Sequence, residues 1–374
     1  MRPAYVIAAR RTPVAPRGGA LARTALHDLA AAPLRACLAD AGLAPDAVDE
    51  VILANALGAG GNPARAAALA AGLPERVGGL SIDRQCCGGL DALRLAALMV
   101  GSGAAEAVLA GGAESYSLRP FRAAPDPEGG PPVPYDQARF TPWPERDPPM
   151  HAAADALGRK LGIGRAAQDA WAVASHAKAR ATGPAAGEIA PVPGTGLAAD
   201  SFTRRLGAGL AARAPVVLGT ITGANAAVAA DGAAACLVVS ERLARAAGCP
   251  ATRIGASAAL GGDPELPGLA PVAAIGAALA AEGLGPEALG VAEIMEAYAV
   301  QAIACVAGAG LDPARVNPGG GALARGHPVG ASGAILAVRL HHELLARGGT
   351  GLAAIAAGGG LGTALILRAC PEIR

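Results

Sequence analysis

The segment Ser81-Ile-Asp-Arg-Gln-Cys86-Cys87-Gly88-Gly89-Leu90, continued by the apolar stretch 91–100, carries the pattern on which the fold prediction rests. A short extended run meets two cysteines and two glycines, after which Ala and Leu recur at helical spacing. The pattern predicts a strand, a tight turn and a helix, with Cys86 at the helix N-terminus. Unpaired N–H groups and the helix dipole there favour negative charge, so we expect a lowered thiol pKa at Cys86. From this motif alone, two cysteines buried for packing are the alternative.

Length and composition narrow the class of protein. The chain has 374 residues, enough for two or three domains with a large core, and a formal net charge of +1. It has no basic run, which argues against nucleic acid or an anionic membrane as the main partner. No apolar run is long enough to span a bilayer, and the first one is too short for a signal peptide.

The cysteines give information about compartment and metal binding. There are seven, at positions 37, 86, 87, 236, 249, 305 and 370, and only Cys86 and Cys87 are neighbours. No CxxC spacing or histidine-rich cluster indicates zinc, so no metal is expected. This usage predicts free thiols in a reducing cytoplasm.

Helix and strand signals alternate along much of the chain, which predicts an α/β fold with a mostly parallel sheet covered on both faces. The pattern recurs, because residues 34–56 resemble 275–299 and residues 88–115 resemble 330–362. Two similar halves packed face to face are therefore expected, with catalytic loops meeting at their interface. In the segment 221–240 we expect a turn, a helix and a strand.

A region of different composition separates the two halves. Residues 118–150 are rich in proline and irregular, and residues 151–182 have a helical pattern. Long irregular insertions in compact enzymes are often lids or binding loops, and an ordinary surface insertion is the alternative. We therefore divide the chain into a first half (1–117 and 195–246), a loop domain (118–194) and a second half (247–374).

A histidine in the glycine-rich segment VNPGGGALARGHPVGASGA (316–334) is the second chemical signal. His327 precedes a helix that starts near residue 330, so in the repeat it occupies nearly the position of Cys86. A cysteine and a histidine on equivalent loops of facing halves can meet, and thiol–imidazole pairing is the usual way to activate a cysteine nucleophile. An isolated histidine bonded to backbone is the alternative, but the repeat symmetry favours catalysis.

The motifs together resemble the thiolase family, which makes and cleaves β-ketoacyl thioesters of coenzyme A. They occur in family order: RTP (11–13), GGAL (18–21), NPAR (62–65), CCGGL (86–90), AGGAES (110–115), DGAAA (231–235), EAYA (296–299), the histidine motif and GGGLGTA (358–364). The resemblance implies two similar βαβαβαββ halves, packed face to face as a five-layered αβαβα sandwich, with an inserted loop domain. It also implies a homodimer or homotetramer, acyl-CoA or acyl carrier thioesters as substrates, and no permanently bound cofactor.

The same resemblance assigns roles to individual residues. Cys86 matches the nucleophile that takes up the acyl group, and His327 matches the histidine that activates it. The backbone N–H groups of Cys86 and Gly358 match the donors that stabilise the thioester oxyanion. The residues expected beside the substrate are His151, Glu296 and Tyr298.

Four positions depart from the family pattern. The family segment Asn-Glu-Ala-Phe is here Met295-Glu296-Ala297-Tyr298, so Tyr298 replaces one aromatic residue by another. Met295 replaces an asparagine that holds a water for the enolising acetyl group, and a thioether is only a weak acceptor. Ala356 replaces the cysteine that removes the α-proton of acetyl-CoA. Arg325 replaces an apolar residue and brings charge either to the site or to solvent. Acyl loading on Cys86 is therefore expected to be intact, while enolate formation has lost its base and a stabilising group.

Four functions follow as alternatives. The first is an acyltransferase with a non-standard acceptor: a malonyl-type carbanion, for carbon–carbon bond formation, or an amine, an alcohol or water. The second is an ordinary acetyl-CoA acetyltransferase or 3-ketoacyl-CoA thiolase in which His151 is the substitute base. The others are a non-catalytic subunit of an acyl-transfer complex and a CoA- or acyl-binding module. An intact Cys86–His327 pair argues against the last two.

Overall fold

The computed structural model describes residues 2–58 and 60–373. The strands are β1 Ala4–Arg11, β2 Ala15–Pro16, β3 Glu50–Ala54, β4 Leu80–Ile82, β5 Ala107–Glu114, β6 Ala123–Ala124, β7 Val133–Pro134, β8 Val216–Leu218, β9 Ile221–Thr222, β10 Ala230–Ser240, β11 Ala251–Gly261, β12 Val291–Ile294, β13 Thr350–Ala357 and β14 Leu361–Cys370. The α-helices are α1 Leu26–Ala41, α2 Pro63–Ala70, α3 Gly88–Ser102, α4 Met150–Leu161, α5 Arg165–Thr182, α6 Ala208–Ala212, α7 Glu241–Ala247, α8 Ala270–Glu282, α9 Ala299–Gly308, α10 Ala322–Arg325 and α11 Val329–Arg347. Within these described residues, no helix combines the length and apolar character needed to cross a membrane.

The main sheet has two matching parts. The strand order is β4-β3-β5-β10-β1 in the first part and β11-β14-β13-β12 in the second, and β2 adds a short pairing to β10. Only two residue pairs, Tyr5 with Arg253 and Val6 with Thr252, join the parts through β1 and β11. The repeat in the sequence is therefore also a repeat of topology.

The sheet is mixed, which corrects the prediction of a mostly parallel one. β3 runs parallel to β4 and β5, and β12 runs parallel to β13. The remaining neighbours in the main sheet are antiparallel. The physical reason is visible at β13 and β14, because the three residues 358–360 turn the chain straight back without a crossover helix.

Helices cover both faces of each part and produce five layers. Apolar residues of α1, α2 and α7 pack on the outer face of the first part. The helices α3 and α11 lie in the central apolar cluster between the two parts. Residues of α8 and α9 cover the outer face of the second part. This αβαβα arrangement confirms the predicted fold class.

The central helices α3 and α11 pack with their backbones in close contact near their N-termini. A Cβ atom at Gly89 would lie 2.6 Å from the backbone nitrogen of Ala334, and one at Gly333 would lie 2.5 Å from that of Leu90. Larger side chains at either glycine would push the helices apart. The turns that precede the two helices are thereby brought together, which positions the candidate site.

The chain between β5 and β10 contains the hairpins β6–β7 and β8–β9 and the helices α4, α5 and α6. Both α4 and α5 pack against α9 of the second part. Irregular chain around residue 140 and the start of α4 reach the same cavity as Cys86. The inserted region therefore covers the site.

The helix predicted within 221–240 is absent, and that prediction is wrong. After β9 the residues 223–225 form the expected turn, and the chain from residue 226 to the start of β10 at Ala230 is not helical but makes isolated bridges to Tyr298 and His327. Its backbone bonds to other parts of the site: the N–H of Ala227 donates to Ala297 O (2.9 Å), and Val228 O accepts from the N–H of His327 (2.8 Å). Alanine-rich sequence favours a helix, but these tertiary contacts override the local preference.

Candidate active site

Cys86 lies in a strained turn at the start of α3. Gln85–Cys87 form a single 3₁₀ turn, and Gln85 has a φ of +51°, which is uncommon for a residue with a side chain. Asp83 supports the turn, because its carboxylate accepts from the backbone N–H of Gln85 at 2.8 Å. The buried thiol of Cys87 points to the carbonyl of Ile355 in β13, at 3.5 Å. Cys86 is thus left as the thiol that lines the cavity.

His327 precedes α11 and reaches Cys86 from the other half of the molecule. Its Nε2 atom lies 3.2 Å from Cys86 Sγ, and its Nδ1 atom lies 2.6 Å from Ser332 Oγ. The Ser332 hydroxyl donates its proton to the carbonyl of Pro328 at 2.9 Å. It must therefore accept from Nδ1–H, which leaves the Nε2 lone pair for the thiol of Cys86. The cysteine and histidine predicted to meet are within hydrogen-bonding distance.

Burial sets the charge state of this pair. The pKa of the Cys86 thiol is raised to about 12, chiefly by desolvation, with a smaller contribution from the nearby Glu114 carboxylate. Desolvation also lowers the pKa of His327 to about 4. At neutral pH the pair is therefore an uncharged thiol and an uncharged imidazole. The predicted lowering of the thiol pKa is wrong for the resting site, because burial outweighs the helix dipole.

A cavity of about 530 Å³ opens at the cysteine–histidine pair. Ala356 contributes only a methyl group to its wall. A Cβ atom on residue 358 would lie 2.4 Å from the Phe140 ring, so a glycine is required there. No group of His, Cys, Asp or Glu side chains in the described chain is arranged to hold a metal ion. The predicted site residues that line the cavity are Cys86, His151, Tyr298, His327 and Gly358.

A second pair of polar side chains lies in the same cavity. The hydroxyl of Tyr298 is 2.9 Å from Nδ1 of His151, and the two rings meet edge to face with centroids 5.5 Å apart. Burial raises the pKa of Tyr298, and the neighbouring Cys86 adds a smaller effect in the same direction. Burial lowers the pKa of His151. Both side chains are therefore uncharged at neutral pH.

Comparison with known proteins places this constellation in a family. Models of the thiolase N-terminal and C-terminal domains match residues 4–242 and 249–369. The chain belongs to the thiolase family. An acetyl-CoA acetyltransferase of Pseudomonas aeruginosa is 39% identical to this chain, and the alignment covers 98% of this chain and 99% of the relative.

Solved thiolase structures share the whole fold. The Bacillus anthracis acetyl-CoA acetyltransferase superposes with a TM-score of 0.90 at 32% identity, covering 99% of each chain. Human mitochondrial 3-ketoacyl-CoA thiolase, solved in complex with CoA, superposes with a TM-score of 0.90 at 30% identity, covering 99% of this chain and 98% of its own.

Two residues of the thiolase segment 295–298 lie outside the cavity. Glu296 is 1% exposed, and its carboxylate accepts from Trp171 Nε1 (3.0 Å), Ser175 Oγ (2.7 Å) and Asn317 Nδ2 (2.9 Å). Because these donors occupy the carboxylate, the predicted contact of Glu296 with the substrate is wrong. Glu296 instead connects α5 to the loop after residue 316. Met295 packs in the central apolar cluster and does not line the cavity.

Arg325 lies inside the protein, and the prediction that it faces the site or solvent is wrong. Its side chain is 4% exposed; Nη2 donates to the carbonyl of Gly319 at 2.8 Å, and Nε lies 3.4 Å from Asp200. Asp200 also accepts from Arg11 at 2.6 Å. The buried guanidinium thus bonds the two ends of the loop 319–325 to each other, and this loop directly precedes His327.

Three residues at the site were not predicted from the sequence: Glu114, Tyr116 and Ser332. Glu114 is fully buried and accepts from the backbone N–H groups of Ala56 and Gly330, each at 3.0 Å. Tyr116 lines the cavity, and burial raises its pKa to about 12. Polar residues at the end of the buried strand β5 and just after it were the available signal for the first two. A hydroxyl in the first turn of the helix after His327 was the signal for Ser332.

Proposed function

We propose that this acyltransferase of the thiolase family takes an acyl group from an acyl-CoA or acyl carrier thioester onto Cys86. The group is then passed to an acceptor other than an acetyl-CoA enolate formed by a cysteine base. The single observation that carries the loading step is the 3.2 Å contact between Cys86 Sγ and His327 Nε2. A nucleophilic thiol with a base at hydrogen-bond distance is the arrangement that covalent acyl transfer requires.

Loading follows from the protonation states of the pair. As Cys86 Sγ attacks the thioester carbon, its proton passes to Nε2 of His327, and Nδ1–H of the imidazolium remains bonded to Ser332. The carbonyl oxygen becomes an oxyanion, for which the N–H groups of Cys86 and Gly358 are the proposed donors. Collapse breaks the carbon–sulfur bond to the leaving thiol, which takes the proton back from His327.

Transfer is the step at which the proposed function differs from the thiolase pattern. Removal of an α-proton from a thioester requires a placed base and a stabilised enolate oxygen. Ala356 has no titratable group, and Met295 is packed in the core away from the cavity. We therefore propose carbon–carbon bond formation with a carbanion produced by decarboxylation, and the other acceptors are an amine, an alcohol or water.

An ordinary acetyl-CoA acetyltransferase or 3-ketoacyl-CoA thiolase activity is the second candidate. It is favoured by the relatives, which carry the name acetyl-CoA acetyltransferase, and by the presence of His151 in the cavity. In that case His151 replaces the missing cysteine as the base. A non-catalytic subunit or a binding module has no need for the Cys86–His327 pair with its supporting Ser332.

We further propose that the enzyme is a homodimer or homotetramer in the cytoplasm, with CoA thioesters as substrates and no permanently bound cofactor. Free thiols at all seven cysteines suit a reducing compartment. Sedimentation at micromolar concentration should give a species of two or four chains. A monomer under those conditions contradicts the proposed assembly.

The test of loading is mass spectrometry of the intact protein after incubation with a panel of acyl-CoA thioesters. We expect one acyl adduct, mapped by peptide analysis to Cys86 and abolished in Cys86→Ala. Cys87→Ala is the matched control and should keep the adduct. An adduct that persists in Cys86→Ala, or that maps to Cys87, contradicts the proposal.

A further inference from the structure

The Tyr298–His151 pair is not used in acyl loading, and it depends on a hydroxyl group that the phenylalanine of the family segment lacks. The thiolase resemblance expects phenylalanine at position 298, so the tyrosine differs from it by a single hydroxyl group. That hydroxyl is the atom that lies 2.9 Å from Nδ1 of His151. Both side chains line the cavity at Cys86, and Cys86 contributes to the raised pKa of Tyr298. The extra hydroxyl therefore acts on an imidazole within the site.

Proton accounting sets the direction of this hydrogen bond. Among the described residues, His151 is the one hydrogen-bond partner of the Tyr298 hydroxyl. If the phenol of Tyr298 donates to Nδ1 of His151, the phenol proton has an acceptor and the imidazole lone pair has a donor. If Nδ1–H of His151 donated to the phenol oxygen instead, the phenol proton would have no acceptor. In a partly buried position this costs free energy. The proton of the neutral imidazole is therefore on Nε2.

We propose that Tyr298 is a positioning residue that holds His151 as an Nε2–H donor toward the acceptor substrate, and that this acceptor is a β-carboxyacyl thioester of the malonyl type. An imidazole protonated on Nε2 stabilises negative charge on an oxygen but cannot take a proton from carbon through that atom. Such an imidazole can therefore stabilise a carbanion that forms without a base. This inference rests on the proposed function, because the carbanion must meet an acyl group on Cys86.

The chemical step balances without an oxidant or reductant. The bond between the α-carbon and the carboxylate of the acceptor breaks, and carbon dioxide leaves. The electron pair of that bond forms the thioester enolate, whose oxygen accepts from Nε2–H of His151. The α-carbon then attacks the carbonyl of acyl-Cys86 and displaces the thiolate, which takes one proton from solvent. The products are a β-ketoacyl thioester, carbon dioxide and the free thiol.

The test uses the full-length protein, acylated on Cys86 by an acyl-CoA and then mixed with malonyl-CoA. Release of carbon dioxide and formation of the β-ketoacyl-CoA are measured. Tyr298→Phe should reduce kcat for transfer about threefold to tenfold, the effect of one neutral hydrogen bond, with little change in KM for malonyl-CoA. The loss should be larger in transfer than in loading. Tyr135→Phe, which removes a hydroxyl from the inserted region away from the cavity, should change neither rate.

Two further variants separate positioning from a structural effect. His151→Ala should reduce transfer about 10²–10³-fold, as expected when one donor to a developing oxyanion is removed. His151→Gln retains an N–H donor and should recover part of that loss. The ¹⁵N spectrum of the His151 ring should show the proton on Nε2 in the unmodified protein and a mixture of tautomers in Tyr298→Phe.

Several results would overturn the inference. They are a wild-type proton on Nδ1, equal transfer rates in Tyr298→Phe and the unmodified protein, or equal losses in Tyr298→Phe and the control Tyr135→Phe. Formation of acyl-Cys86 without consumption of malonyl-CoA would overturn this inference and leave standing the acyl loading of the proposed function, with an amine, an alcohol or water as the remaining acceptors. Absence of acyl-Cys86 in the unmodified protein would overturn the proposed function itself, so the two failures are distinguishable.

Discussion

The Sγ atom of Cys86 and the Nε2 atom of His327 lie 3.2 Å apart, although the two residues are 241 positions apart in the chain. The close packing of α3 against α11 brings them together. Because both groups are buried, they meet as a thiol and a neutral imidazole. The thiolate therefore forms during attack on the substrate and not in the resting enzyme, which limits side reactions of the nucleophile.

The pH dependence of alkylation tests this charge state. Because the pKa of folded Cys86 is about 12 against a reference value of 9.0, the thiolate fraction rises about tenfold per pH unit through pH 8–10. Alkylation of Cys86 by iodoacetamide, followed by peptide mapping, should rise log-linearly over that range. The urea-unfolded protein is the control and should level off above its lower thiol pKa. A plateau with a midpoint below pH 8 in the folded protein would indicate a preformed ion pair.

Ser332→Ala tests the orientation of His327. The variant removes the acceptor of Nδ1–H, so the imidazole no longer has a fixed tautomer toward Cys86. We expect acylation of Cys86 to slow about threefold to tenfold, the contribution of one neutral hydrogen bond. Ser102→Ala, at the exposed end of α3, is the control and should acylate at the unmodified rate. Equal rates in all three proteins would show that Ser332 has no part in orienting the imidazole.

Arg325→Met tests the buried charge that closes the loop before His327. The variant leaves Asp200 with Arg11 and the backbone N–H of Val14, and it frees the Gly319 carbonyl. We expect the free energy of unfolding to fall by about 1–3 kcal/mol, as for a buried group left unsatisfied, and acylation of Cys86 to slow. Urea unfolding and acyl-adduct formation measure the two effects.

Arg347→Met is the matched control for Arg325→Met. Arg347 forms a surface ion pair with Glu343 at 2.7 Å, so its loss should cost less than about 1 kcal/mol. Equal destabilisation in the two variants would contradict a special role for Arg325.

Ala356→Cys tests the missing base. The substitution places a thiol on the cavity wall, at the position that the thiolase resemblance assigns to a second cysteine. We expect the rate of exchange of the acetyl methyl protons of acetyl-CoA with solvent to rise toward the 10²–10⁴-fold that a general base supplies. The rise should be near the lower end, because Met295 remains in the core and provides no amide at the site. Ala356→Ser adds a similar volume without an acidic proton, and an equal gain in that variant would exclude base catalysis as the cause.

Local pattern and repeat symmetry were enough to predict the main elements and the central pair. The helix expected directly after the two cysteines is Gly88–Ser102, and the helix expected near residue 330 begins at Val329. Both signals lie in neighbouring residues, where spacing reports secondary structure directly. The repeat then placed the turns before these helices at equivalent points of the fold, which is why Cys86 and His327 were expected to meet.

Properties that depend on distant contacts were not predictable. The non-helical segment before β10 owes its shape to bonds with residues 297 and 327, which nothing in its own alanine-rich sequence indicates. Glu296 accepts from Trp171 and Ser175 of α5, which lie 125 and 121 positions away, so its internal role depends on a distant part of the chain. The thiol pKa follows from desolvation, which exists only once the two halves are packed.

The central claim is that Cys86 accepts an acyl group while the site does not enolise acetyl-CoA. One measurement examines both parts: incubation with acetyl-CoA in D₂O, followed by mass spectrometry of the acetyl group on the Cys86 peptide and in the recovered acetyl-CoA. We predict an acetyl adduct on Cys86 that carries no deuterium. A deuterated acetyl group would contradict the account and assign a base to the site, and His151→Ala would then show whether His151 is that base. Absence of any adduct on Cys86 would contradict the loading step itself.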